Sequence, residues 1–167
     1  VEGKVALVTG SGRNLGRAAV LELARRGADV VVNARSNREE AEAVAGEAEA
    51  LGVRAIALLA DVGNEQQVNQ MVAEALGTFG RIDILINNAG IGRLTGSSGS
   101  SLEDDWEENW SAVMDINVQG VMRCAKAVLG HFIDRNYGKI INTASGAGRG
   151  PIWWGPAKGP EGMANPY

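Results

Sequence analysis

Three glycines within seven residues, Gly10, Gly12 and Gly16, follow directly on the apolar run Val5-Ala6-Leu7-Val8 and lead into Leu15, Ala18, Ala19, Leu23 and Ala24, which repeat at helical spacing. An unbroken apolar run suits a strand buried on both faces of a parallel sheet, and glycines after it let the backbone bend sharply and a bulky anion approach. The first turn of the following helix then offers free N–H groups and the positive end of its dipole, the usual seat of a dinucleotide pyrophosphate. Taken alone such a turn is equally a plain tight connection. Two guanidinium groups bear on the choice of ligand. Arg13 stands inside the turn, and Arg35 closes the stretch Asn33-Ala34-Arg35-Ser36, which carries no carboxylate. A site for NAD needs an acidic side chain at that place to accept from the ribose hydroxyls, whereas arginines pair with a 2′-phosphate; NADP is therefore favoured, with two solvated surface arginines as the plain alternative.

The elements that must position these groups alternate along the chain. Apolar strands are expected at 5–8, 29–34, 54–59 and 82–87, with helices at 39–51 and 66–79 whose inward residues are Ala41, Val44, Ala45, Ala48 and Leu51, then Val68, Met71, Val72, Ala75, Leu76 and Phe79. Gly80 stops the second of these helices. A glycine- and serine-rich loop, 90–101, precedes a helix through Trp106, Trp110, Val113, Met114 and Asn117, for which Ser101 with Asp104 forms a capping pair. A separate helix spans 121–133, so apolar over Val121, Met122, Ala125, Val128, Leu129, Phe132 and Ile133 that it calls for a partner helix, in this subunit or another. A fifth strand, 139–144, ends on Ser145. Strands separated by helices of this length give a doubly wound α/β parallel sheet of the Rossmann type, a single domain over 1–167. All four prolines fall after residue 150, interleaved with glycines, so 146–167 reads as a loop.

Composition narrows the partners. With 16 basic and 20 acidic side chains the net charge is −4 and no basic block occurs, which points away from nucleic acid and anionic membranes. One cysteine, Cys124, and one histidine, His131, supply neither a disulfide nor a metal cluster. The absence of a spanning apolar stretch or a signal pattern at Val1-Glu2-Gly3-Lys4 favours the cytoplasm.

The glycine turn, Arg35, Asp61, Asn87 to Gly90 and Ser145 all stand at or beyond the carboxyl ends of expected strands, where an open parallel sheet places its ligand. In this the chain resembles the short-chain dehydrogenase/reductase family over essentially its whole length. Thr9-Gly10-x-x-x-Asn14-Leu15-Gly16 resembles the family's cofactor turn, Asp61-Val62 its adenine-contacting pair, Asn87-Asn88-Ala89-Gly90 its NNAG motif, Asn117-Val118-x-Gly120 its helix asparagine, and Ser145 its catalytic serine. Asn14 departs from the pattern by replacing a glycine, with the side chain that best tolerates left-handed backbone.

The resemblance implies that Ser145 orients a carbonyl or hydroxyl, that Asn117 holds a water in a proton relay, and that a tyrosine passes the proton with a lysine four residues on. A free tyrosine, with a pKa of about 10, needs that ammonium to act near neutrality. No Tyr-x-x-x-Lys occurs here. Tyr137 precedes the fifth strand, at the wrong end of the sheet; Tyr167, in Asn165-Pro166-Tyr167, is the candidate, and its lysine would lie after it. Trp154-x-x-x-Lys158 copies the spacing with an indole that cannot exchange a proton. The family would continue with the active-site helix and further strands. The expected function is thus an NADP-dependent oxidoreductase, a homo-oligomer, similar to 3-oxoacyl-carrier-protein reductases and related ketoreductases. The alternative is a catalytically silent nucleotide-binding or scaffold protein.

Overall fold

In the computed structural model of this protein, residues 1–92 and 106–145 are described. The chain runs β1 (Val5–Val8), α1 (Asn14–Arg25), β2 (Asp29–Ala34), α2 (Arg38–Glu49), β3 (Ala55–Leu59), α3 (Glu65–Phe79), β4 (Ile84–Asn87), α4 (Trp106–Met114), a π-helical turn (Asp115–Gln119), α5 (Gly120–Asp134) and β5 (Lys139–Asn142). The five strands pair in the order β3-β2-β1-β4-β5, all parallel. Alternate residues of the central strands feed two cores. Ala6, Val8, Val30, Val32, Ile84 and Ile86 pack with the inward side chains of α1 and α2. On the other face Val5, Leu7, Val31 and Leu85 meet Val68, Met71, Val72 and Ala75 of α3 and Cys124, Val128 and Phe132 of α5. The sheet is doubly wound, as the alternation of elements required.

Several expectations are corrected. Leu15 and Ala18 do not face the core: Leu15 is 73% exposed, because the first turn of α1 rises above the carboxyl ends of the strands, and burial begins with Gly16, Val20 and Leu21. Leu51 lies past the end of α2 and is exposed. The helix expected through Asn117 and the one expected from Val121 are a single helical run, 106–134, joined by the π turn. Gly120 there is a packing residue and no boundary, since a Cβ would stand 2.8 Å from Val62 Cγ2. Strand β5 stops at Asn142, and all four of its residues are exposed. The helix start at Ser101 and Asp104, and the whole loop 146–167, lie outside the described residues.

No helix among the described residues is long and apolar enough to cross a membrane, and no cluster of His, Cys, Asp and Glu among them could hold a metal ion. Cys124 is buried against the core, and that burial pushes its thiol pKa up to about 11, which keeps it protonated and inert.

Candidate functional site

The strand order reverses between β1 and β4, and a cleft of about 580 Å³ opens over the carboxyl ends of the strands at that point. All twelve residues expected to bind a nucleotide line it: Gly10, Gly12, Arg13, Asn14, Leu15 and Gly16 from the turn, Arg35 after β2, Asp61 and Val62 after β3, and Asn88, Ala89 and Gly90 after β4.

The turn is shaped by close contacts that forbid side chains. Gly10 has φ +61°, and a Cβ there would stand 2.8 Å from Ala89 Cα; at Gly16 a Cβ would meet Gly10 O at 2.5 Å. Asn14 opens α1 with φ +50°, the left-handed conformation for which its side chain was singled out. The cap residue Arg13 makes no side-chain hydrogen bond to the helix and the first turn holds no acidic residue, so its amides face the cleft without an internal anion. No ion pair to a described residue engages the guanidinium of Arg13 or Arg35. This donor set fits an extended phosphate-bearing ligand.

A second set of residues holds the turn in place, and sequence reasoning missed its centre. Asn33 is 1% exposed in β2. Its Oδ1 accepts from Gly10 N at 3.1 Å, and its Nδ2 donates to the carbonyls of Leu58 at 3.3 Å and Ala60 at 3.1 Å, tying β1, β2 and β3 together under the cleft. Ser11 joins them, its N–H donating to Asn33 O at 2.7 Å while its Oγ accepts from Asn33 N at 3.0 Å. Thr9 Oγ1 accepts from the N–H groups of both Asn88 and Ala89 at 3.0 Å, and Asn88 Nδ2 donates to the carbonyls of Thr9 and Gly10, each at 3.0 Å. Asn88 thus braces the turn. The signal for Asn33 was a lone amide in the otherwise apolar run Val30-Val31-Val32, where a buried polar group demands partners.

Asp61 forms a local turn, its Oδ1 accepting from Gly63 N at 2.8 Å, while Gln67 Oε1 of α3 accepts from Asp61 N at 2.9 Å. Asn117 stands in the π turn and grips the backbone after β4: its Oδ1 accepts from Ile91 N and its Nδ2 donates to Ile91 O, both at 2.8 Å. Among the described residues these two bonds take up one lone pair and one N–H of that amide. Ser145 follows β5 at the same end of the sheet as the cleft, and Thr143 N donates to Asn87 O at 2.9 Å on the way. Tyr137, by contrast, lies by the amino terminus of the chain, its ring under Lys4 Nζ at 4.3 Å. Tyr167, Lys158, Trp153 and Trp154 lie outside the described residues. Of the cleft residues that were not foreseen, one carries a charge. Glu40, in the first turn of α2, also lines the cleft, beside Gly12.

A family model described as short chain dehydrogenase matches residues 4–157. A 3-oxoacyl-(acyl-carrier-protein) reductase of Synechocystis sp. is 45% identical over 145 residues, covering 87% of this chain and 57% of the relative. Among solved structures, an NAD+-bound xylitol dehydrogenase superposes with TM-score 0.81 at 38% identity, over 90% of this chain and 56% of the other. A metagenomic short-chain oxidoreductase in complex with NADP also gives 0.81, at 32% identity, over 90% of this chain and 66% of the other. The chain spans less than two thirds of the length of each.

Proposed function

This chain belongs to the short-chain dehydrogenase family, and from that premise we propose that it is the nucleotide-binding part of an NADP-dependent oxidoreductase, of the 3-oxoacyl-carrier-protein reductase type, acting on a carbonyl or secondary alcohol. The observation that carries the reading is the cleft at the strand-order reversal, where the open head of α1 and the side chains of Arg13 and Arg35 line one wall. The amides of α1 would hold the diphosphate, and the two guanidinium groups the 2′-phosphate. When bound, the nicotinamide supplies or accepts the hydride. Asp61 and Val62 would flank the adenine, and the Asn88–Gly90 backbone, fixed by Thr9, would set the wall of the reacting end. Ser145 would orient the substrate oxygen, and Tyr167 would pass the proton.

Glu40 favours a second cofactor, because a carboxylate in that wall suits free ribose hydroxyls and opposes a 2′-phosphate. Fluorescence titration of the chain with NADPH and NADH decides between them. Arg35→Ala should weaken NADPH by about tenfold, the worth of one charge-assisted pair, and leave NADH nearly unchanged. If instead Glu40→Gln weakens NADH while Arg35→Ala leaves NADPH untouched, the cofactor is NAD. Absence of saturation by either nucleotide would remove the proposal altogether.

A further inference from the structure

The π turn Asp115–Gln119 interrupts an otherwise α-helical run and is closed by one side chain. Arg123 Nη1 donates to Asp115 O at 3.1 Å, and its Nη2 donates to Asp115 Oδ1 at 2.7 Å and to Gln119 Oε1 at 3.1 Å. A π turn takes one residue more than an α turn and misaligns its carbonyls, and such turns recur at functional sites. Here the guanidinium satisfies a carbonyl of the first residue of the turn and a side chain of the last, fixing both ends in one planar fork. Between them stands Asn117, whose amide grips both backbone groups of Ile91. The turn also packs closely on the segment that follows β3. A Cβ on Gly63 would lie 2.9 Å from both Asp115 Oδ2 and Ile116 Cδ1, and one on Gly120 would lie 2.8 Å from Val62 Cγ2. Ile91, Ile116 and Val62 all line the cleft.

From this we infer that Arg123 is a positioning residue for the cleft: by clamping the π turn it fixes Asn117, and through Asn117 the Gly90–Ile91 wall. The hydrogen bonds of Arg123 go to Asp115 and Gln119, neither of which lines the cleft. It acts through the turn, so its loss is felt at Ile91 before it is felt in the core. The inference rests on the dinucleotide reading only for its binding readout; the effect on Ile91 stands without it.

Amide hydrogen exchange of the full chain, free of nucleotide, tests it. Among the described residues the Ile91 N–H is held by Asn117 Oδ1, so Arg123→Met should speed its exchange by about tenfold or more, the equivalent of one charge-assisted hydrogen bond, while Leu85 in β4 is unchanged. Arg123→Lys, which keeps the charge without the fork, should recover part of the protection. Lys126→Met serves as the control, since it removes an exposed ion pair to Glu65 from the same helix and should leave Ile91 alone. Exchange at Ile91 within twofold of the unaltered chain in both Arg123 variants overturns the assignment. An equal rise in Lys126→Met overturns it too, by showing general loosening of α5. NADPH titration of the same proteins should show weaker binding for Arg123→Met only; if the unaltered chain does not bind NADPH, the nucleotide reading fails while the exchange result still decides the role of Arg123.

Discussion

Asp83, at the amino end of β4, is fully buried, and its carboxylate accepts four hydrogen bonds: from Val5 N at 2.9 Å, from Arg81 Nε at 2.7 Å and Nη2 at 2.6 Å, and from Arg135 Nη1 at 3.1 Å. Burial by itself would raise its pKa; the bonds from Arg81, Val5 and Arg135 outweigh it and hold the group below the usual carboxylate range. Its stabilising contribution is therefore present above the unfolded value of about 3.9 and is lost as pH falls through the lower, folded value. Thermal unfolding followed between about pH 5 and pH 2 should show a decline in Tm that begins near that unfolded value and is much flatter in Asp83→Asn. At neutral pH the same substitution should cost about 2–4 kcal/mol, less than for a fully enclosed pair because both arginines keep partial access to water. Asp83, between Ile82 and Ile84, and Asn33, between Val32 and Ala34, share one sequence signature, a polar residue flanked by buried apolar ones. The cleft-lining residues were legible by their combination, because glycine, asparagine and aspartate, each an ordinary turn residue alone, recur here at the carboxyl ends of successive strands. The residues beneath them were harder to read, because a polar residue in a strand does not say which backbone atoms it will meet.

Helix starts carry a comparable lesson. Both α2 and α3 open on an asparagine whose side chain accepts from the N–H three residues on, Asn37 from Glu40 at 3.1 Å and Asn64 from Gln67 at 3.0 Å. In each case the third helical residue is Glu or Gln, the spacing of a capping box, and the expected starts at 39 and 66 each fell one residue late because apolar periodicity begins after the cap. The stop at Gly80 was readable, and it is left-handed with φ +72°. Asn64→Ala should cost about 1 kcal/mol, or about 2–4 °C in Tm, by calorimetry. Loss at that cap also frees Gln67, which holds Asp61 N, so the Asp61–Gly63 turn should exchange faster in the same variant. The π turn left no comparable trace. An extra residue in a helical turn rotates the apolar stripe by roughly 100°, which in sequence reads as a break between two helices, and the forces that stabilise the turn, Arg123 and the tight approach of Gly63 and Gly120, come from tertiary packing that periodicity does not encode.

At the scale of the molecule the informative feature is a helix with two apolar sides. Gly120, Cys124, Val128 and Phe132 of α5 are buried against the sheet, while Met122, Leu129 and Ile133 are 66, 49 and 66% exposed, with Val118 in the preceding turn at 42%. These four recur at intervals of four, seven and four residues, a continuous stripe along one side of the helix. An isolated exposed leucine needs no explanation, but an aligned stripe on a helix whose other side is already in the core asks for a partner. The wide apolar surface of this helix was visible in the sequence; its division into a core side and an open side required the sheet to be in place. If the chain forms the homo-oligomer expected from its sequence, this stripe is the surface on which a second copy would pack, since each of these side chains is worth about 1.5–3 kcal/mol when taken fully out of water. Met122→Glu combined with Ile133→Glu places charges on that stripe without touching Cys124, Val128 or Phe132. Light scattering should then report a lower mass than for the unaltered chain, with the helical circular dichroism signal retained; an unchanged mass would move the subunit contact off α5.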